Sequence, residues 1–168
     1  DKTGTITHGK PVQTDFLSLD PLAQDTAPAL AASLAGRSDH PVSLAIAQAA
    51  VDKQLAMHPV DNFEALTGRG VRGEINGELY HLGNHRLVEE LGLCSPALEE
   101  KLFALEKQGK TVVLLLDRNG PLALFAVADT VKESSREAIQ QLHELGIKTL
   151  MLTGDNQHTA QAIAAQVG

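Results

Sequence analysis

The spacing of apolar positions changes several times along the chain, and each change predicts an element. Thr7-His8-Gly9-Lys10-Pro11 is turn material, and from Val12 to Leu19 apolar residues recur loosely enough for a strand. Asp20-Pro21 supplies an N-cap and an N1 proline for an Ala- and Leu-rich helix that ends near Gly36. Ser38-Asp39-His40-Pro41 repeats that start signal for a second helix, with Val42, Leu44, Ala45, Ile46, Ala49 and Ala50 giving it an apolar side. Phe63 to Thr67 predicts a strand. Val71 to Ile75 and Glu78 to Leu82 flank Asn76-Gly77, a two-residue hairpin signal whose central residues both take positive φ. Asn84 caps a short helix carrying Leu87, Val88 and Leu91 and closed by Gly92, and Ser95-Pro96 opens another that runs to about Gln108. Thr111 to Asp117 and Leu122 to Ala128 are nearly unbroken apolar runs around the turn Arg118-Asn119-Gly120, and they predict a central hairpin.

From Asp129 the period changes. Lys132 to Gly146 reads as an amphipathic helix with Ala138, Ile139, Leu142 and Leu145 on one side, and Ile147 to Leu152 as a buried strand. Thr153-Gly154-Asp155-Asn156 then leads into a helix carrying Ala160, Ile163, Ala164 and Val167. Strand, glycine turn and helix in that order make a βαβ half-unit, and α/β proteins bind ligands at such turns. The expected organisation is one α/β unit in two segments, 1–12 and 126–168, interrupted by an α+β insertion over 13–125.

Composition narrows the function classes. A 43% hydrophobic, 21% charged chain of 168 residues is ordinary globular material and can bury a real core. A formal charge of −7 leaves no basic field for nucleic acid or an anionic membrane, so an anionic ligand needs a local pocket of N–H groups. The single cysteine, Cys94, excludes an intrachain disulfide, and no apolar run approaches the length of a membrane span. His81 and His85 are four apart, but Gly83-Asn84 breaks any helix between them, and no Cys or His pair has zinc-site spacing. A chain that opens on a reactive motif and closes straight after a helical pattern predicts a fragment of something longer.

That motif is Asp1-Lys2-Thr3-Gly4-Thr5-Ile6-Thr7. Its carboxylate can attack a terminal phosphorus, its lysine can spread charge over the transferring oxygens, and Gly4 lets backbone N–H groups approach the anion. All seven positions match the phosphorylation motif of the P-type ATPases, which the chain therefore resembles. The family pairs this motif with a Thr-Gly-Asp, here Thr153-Gly154-Asp155, and with an acidic residue ahead of the intervening helix, here Asp129. The resemblance implies that Asp1 is phosphorylated, that Lys2, Thr3, Thr153, Gly154 and Asp155 serve the transfer, and that Mg²⁺ is held at Asp1, Thr3 and Asp129. Phosphatases of the same haloacid-dehalogenase-like superfamily place a second aspartate two residues after the nucleophile; here that position is Thr3, so a phosphoaspartate on Asp1 should persist.

Ser38-Asp39-His40-Pro41-Val42, then Gly68-Arg69-Gly70-Val71, then Gly83-Asn84 is similar to the nucleotide-binding domain of the heavy-metal-transporting branch. By that resemblance His40, Pro41, Gly68, Gly70, Gly83 and Asn84 cradle ATP. Small residues permit close approach, and neutral imidazole can stack or hydrogen-bond without a charge partner. One position departs: the family's glutamate five residues before the histidine is Ala35, which predicts relaxed adenine preference or compensation by a neighbour such as Asp39. The implied fold is an antiparallel-sheet nucleotide-binding domain with flanking helices, inserted into a partial Rossmann-like phosphorylation domain. The implied parent is a membrane exporter of heavy-metal cations, with Zn²⁺, Cd²⁺ and Pb²⁺ favoured over Cu⁺ and Ag⁺. This chain would be its cytoplasmic portion at the plasma or inner membrane, partnered by an actuator domain and membrane helices. The alternatives are a nucleotide-binding module without catalysis and, third, a haloacid-dehalogenase-type phosphatase.

Overall fold

A computed structural model describes all residues, 1–168. Its centre is one six-stranded antiparallel sheet. The strands are β1 (Thr7–Ser18), β2 (Asp61–Leu66), β3 (Gly70–Ile75), β4 (Glu78–Gly83), β5 (Thr111–Asp117) and β6 (Gly120–Val131), in the spatial order β1-β6-β5-β4-β3-β2. The helices are α1 (Ala27–Ala35), α2 (Pro41–Asp52), α3 (His85–Glu90), α4 (Pro96–Lys107), α5 (Glu133–Glu144) and α6 (Gln157–Val167).

The unbroken apolar runs at 111–117 and 122–128 form because the sheet is covered on both sides. Successive strand side chains point to opposite faces. Leu115, Ala123, Phe125 and Val127 therefore join Leu34, Ala35, Ala45 and Ile46 of α1 and α2 in one core. Leu114, Leu116, Leu124 and Ala126 join Leu87, Val88, Leu98 and Leu102 of α3 and α4 in the other. The β3–β4 hairpin turns at Asn76 and Gly77, with φ of 52° and 81°, the geometry the dipeptide predicts.

Three expectations change. The helix foreseen from Asp20 is a single 3₁₀ turn, Pro21–Ala23, capped by Asp20, and α1 begins only at Ala27. Pro28 is the reason, since a proline inside a continuous helix would lack its N–H and clash with the preceding turn, whereas near a helix start it is tolerated. Thr7 to Pro11 is strand rather than turn, because β6 extends to Val131 and offers pairing partners, with a register shift between Thr7 and Pro11. Residues 147–152 form neither strand nor helix, and Ile147, Leu150 and Leu152 are exposed. An apolar run becomes a strand only where a neighbour takes up its backbone hydrogen bonds.

β1 lies at the edge of the sheet. Lys110, in the turn before β5, reaches across to Asp15 on β1 at 2.7 Å. That hydrogen bond, helped by Thr14, holds the Asp15 carboxyl below the usual carboxylate range.

Candidate functional site

Two sets of residues singled out in the sequence are each gathered in space. The first lies at the end of the sheet where β1 starts and β6 ends. The loop from Asp1 to Ile6 is closed by three N–H groups, of Thr5, Ile6 and Thr7, all donating to the Lys2 carbonyl. Thr7 is fully buried, and its hydroxyl donates to one Asp129 oxygen while the Gly9 N–H donates to the other at 2.9 Å. Lys132 Nζ donates to the Gly4 carbonyl at 3.0 Å, and the Ser135 hydroxyl to the Ile6 carbonyl at 2.7 Å. The loop is thus tied to β6 and to the first turn of α5.

Asp1 and Lys2 point differently. Asp1 is exposed, with its carboxylate accepting from the Thr5 hydroxyl at 2.5 Å, while the Lys2 side chain is buried and ion-paired with Asp155. That pair joins two motifs 153 positions apart. The Thr153 hydroxyl accepts from the Asp155 N–H at 3.1 Å, and Asn156 caps α6 through the Thr159 N–H at 2.9 Å, so Asp155 sits on a turn fixed at both ends. Thr3 and Gly154 are exposed, and a side chain at Gly154 would meet nothing within 4 Å. Carboxylates, hydroxyls and carbonyls are all hard oxygen donors, which suits Mg²⁺. The carboxylates of Asp1, Asp129 and Asp155 each have their own partner: Thr5, Thr7 with Gly9, and Lys2.

The second set lines a cavity of about 430 Å³ between the start of α2 and the β2–β3 turn. His40, Gly68, Gly70 and Asn84 all lie on its wall, together with Ser38, Asp39, Arg69, Thr111 and Val113. Gly83 lies behind the wall, where Gly70 passes it, and Pro41 is the first residue of α2 and faces a neighbouring groove. His40 is the N-cap of α2: its Nδ1 accepts the Val42 N–H at 3.3 Å. A neutral imidazole that accepts at Nδ1 carries its proton on Nε2, so the free edge of this exposed ring is a donor.

The Gly68-Arg69-Gly70 turn is clamped from one side. Asn84 Nδ2 donates to the Gly68 carbonyl at 2.8 Å, its N–H donates to the Arg69 carbonyl at 2.8 Å, and its Oδ1 accepts the Leu87 N–H at 3.1 Å as the cap of α3. Arg69 forks onto both oxygens of Glu90, at 2.5 and 2.9 Å. This charged hydrogen bond lowers the Glu90 carboxyl and raises the Arg69 guanidinium from their ordinary values. The Arg69–Glu90 clamp is invisible in the sequence, because its members lie 21 positions apart on a loop and a helix that only the fold brings together. Ala35, the departing position, is fully buried in the core, whereas Asp39 stands at the cavity. The two sets share a strand: Thr111 at the cavity pairs with Val127, and Asp129 lies two residues further along β6, about 7 Å of strand.

The Asp1–Thr7 motif is thus bonded to Asp129 and, through Lys2, to Asp155 on a mixed α/β frame. The chain belongs to the haloacid dehalogenase-like hydrolase family, which matches residues 1–168. Within it, the whole chain is similar to heavy-metal P-type ATPases. It is 42% identical over 168 residues to a copper-transporting P-type ATPase of Rhizobium leguminosarum bv. viciae, covering 100% of this chain and 20% of that one. It is 44% identical over 174 residues to a probable cadmium-transporting ATPase of Staphylococcus aureus (strain MRSA252), covering 100% and 24%. The crystal structure of a zinc-transporting PIB-type ATPase in the E2.Pi state superposes with a TM-score of 0.89 at 32% identity, over 99% of this chain and 27% of that one. The chain thus spans a fifth to a quarter of the length of these curated relatives. The branch resemblance drawn from the motifs holds along the whole chain, while the lean toward zinc and cadmium is only weakly supported, since a copper-named relative matches as well as the cadmium- and zinc-named ones.

Proposed function

We propose that residues 1–168 are the ATP-binding and phosphorylation region of a membrane P-type ATPase that exports heavy-metal cations. The observation that carries this reading is the cavity on which His40, Gly68, Gly70 and Asn84 converge from three separate stretches of chain. Its volume of about 430 Å³ lies in the range of small-molecule sites, and its wall combines an apolar floor, Ile46, Val71 and Leu82, with a ring donor and a bare backbone turn. The adenine lies on that floor against His40, and the ribose and phosphates pass the Gly68-Arg69-Gly70 turn. Asp39 accepts from the adenine amino group in place of the acid missing at Ala35.

The γ-phosphate goes to Asp1. Lys2 spreads the charge that develops on the transferring oxygens and keeps Asp155 in place, while Thr153 and Gly154 hold the phosphoryl group. Mg²⁺, which the oxygen donors of Asp1, Thr3 and Asp129 would hold, screens the phosphate charge when bound. Residues 13–125 bind the nucleotide, and the two segments 1–12 and 126–168 form the phosphorylation unit, so the chain crosses between them along the paired strands β1 and β6. No helix is long and apolar enough to cross a membrane, so the ion path belongs to other regions of the transporter, as do its actuator domain and its choice of cargo. This chain stands on the cytoplasmic side of the membrane, with ATP as its small-molecule partner.

Calorimetric titration with ATP tests the cavity. Wild type is expected to bind one ATP, and His40→Ala to lose at least about tenfold in affinity, or 1.4 kcal/mol. Because His40 also caps α2, His40→Asn is the control: it keeps a cap but not the ring. Loss in both variants identifies the imidazole as the contact. Wild-type affinity in His40→Asn would leave His40 only a capping role and remove it from the site. Parallel titrations with GTP report base choice, and Asp39→Asn is expected to narrow the gap between ATP and GTP.

A further inference from the structure

On the α3/α4 side of the sheet a second cluster stands apart from the residues assigned to nucleotide and phosphate. His85 opens α3, and Glu89 follows it by one turn, with Oε1 3.2 Å from His85 Nε2. Cys94, in the connection between the helices, places its sulfur 3.7 Å from the same Nε2. Glu99, in the first turn of α4, completes a group with His85 and Glu89 whose ligand atoms lie within 4.8 Å of one another. On the opposite ring nitrogen, Nδ1, Glu106 Oε1 stands at 3.5 Å.

We propose that His85, Glu89, Cys94 and Glu99 form a binding site for a divalent transition-metal ion of the zinc and cadmium type. Donors around a tetrahedral Zn²⁺, with bonds of 2.0–2.3 Å, stand about 3.3–3.8 Å apart, and the 3.2 and 3.7 Å separations around Nε2 are already close to that. One imidazole, one thiol and two carboxylates make a borderline set that a hard cation such as Mg²⁺ does not select. Glu106 beside Nδ1 is the arrangement in which a carboxylate fixes the tautomer of a metal-bound histidine, leaving the Nε2 lone pair toward the other donors.

Binding through sulfur releases the Cys94 thiol proton to water. The site joins α3 to α4 one residue from Asn84, the clamp of the Gly68-Arg69 turn, so a bound ion stiffens the back of the nucleotide cavity.

The test is titration of the purified chain with Zn²⁺ by calorimetry and with Cd²⁺ by ultraviolet absorption, in excess Mg²⁺. Expected are one equivalent of Zn²⁺ bound, and a cadmium–thiolate charge-transfer band that Cys94→Ser removes. His85→Ala should abolish Zn²⁺ binding, and Glu106→Gln should weaken it about tenfold while leaving the stoichiometry unchanged. His85 is partly exposed, and an unchanged circular dichroism spectrum verifies that its variant is folded. No bound zinc, displacement by Mg²⁺, a missing cadmium band, or wild-type affinity in folded His85→Ala would each overturn the proposal.

Discussion

Asp1→Asn is expected to abolish acid-stable incorporation of phosphate from γ-labelled ATP in the proposed transporter, with ATP binding left intact. Asp1 is the exposed carboxylate of the loop, whereas Asp129 is fastened by Thr7 and Gly9 and Asp155 by Lys2. The only bond on Asp1 from this loop comes from the Thr5 hydroxyl, which can turn with the carboxylate as it attacks. An amide in its place is nearly isosteric, so the loop closed on the Lys2 carbonyl should fold unchanged, but it offers no anionic oxygen to phosphorus. The nucleotide cavity does not include residue 1, which is why binding and phosphorylation separate in this variant. Thr3→Asp is the complementary change. It supplies the carboxylate that related phosphatases use as general acid and base, and shortens the lifetime of the label instead of preventing it. Label persisting in Asp1→Asn would move the acceptor elsewhere. A wild type that turned over generic phosphoesters readily would favour the phosphatase reading instead.

Gly70→Ala is expected to lower stability by about 3–5 kcal/mol, combining backbone strain with overpacking. Gly70 has a φ of +144°, and a Cβ there would stand 2.2 Å from the Leu82 carbonyl oxygen and 2.5 Å from the Gly83 Cα. Both are backbone atoms of β4, so no rotamer change relieves the clash; the β3–β4 pairing must open at its cavity end. At roughly 2–4 °C per kcal/mol for a chain of this size, thermal unfolding should shift down by about 10 °C. Gly68→Ala is the internal comparison. Its φ is +70° but nothing lies within 4 Å, so only the left-handed backbone is strained, costing about 1 kcal/mol. Equal melting temperatures for the two variants would show that close approach at Gly70 is not what the fold requires.

Where the sequence spoke through local chemistry, it was legible. Asn76-Gly77 announces its turn because two positive φ angles are intrinsic to those residues, and caps at Asp20, Asn84 and Ser95 accept the N–H bonds that their positions foretell. The double-sided burial of β5 and β6 shows in their unbroken apolar runs. What a neighbour decides was not legible. The run 147–152 has strand composition but no pairing partner, and Thr7–Pro11 has turn composition but acquires one from β6. The motif residues themselves could be named in advance, yet the bonds that hold them could not: Lys2 with Asp155, Asn84 with Gly68 and Arg69 with Glu90 are long-range pairs between common polar residues. The His85 cluster was hidden for the same reason. Its donors come from two helices and the turn between them, with no metal-motif spacing in the chain.

The most direct test of the account is to map ATP on the isotope-labelled chain by NMR. A second groove, of about 660 Å³ between β1 and α2, competes on size alone; Val12, Leu44 and Val51 give it an apolar lining without the histidine or the glycine turn. ATP is expected to shift the amides of Gly68, Gly70 and Asn84 and the ring signals of His40, with the β1–α2 groove unmoved. Shifts gathered at Val12, Leu44 and Val51, with His40 and Gly68 silent, would contradict it.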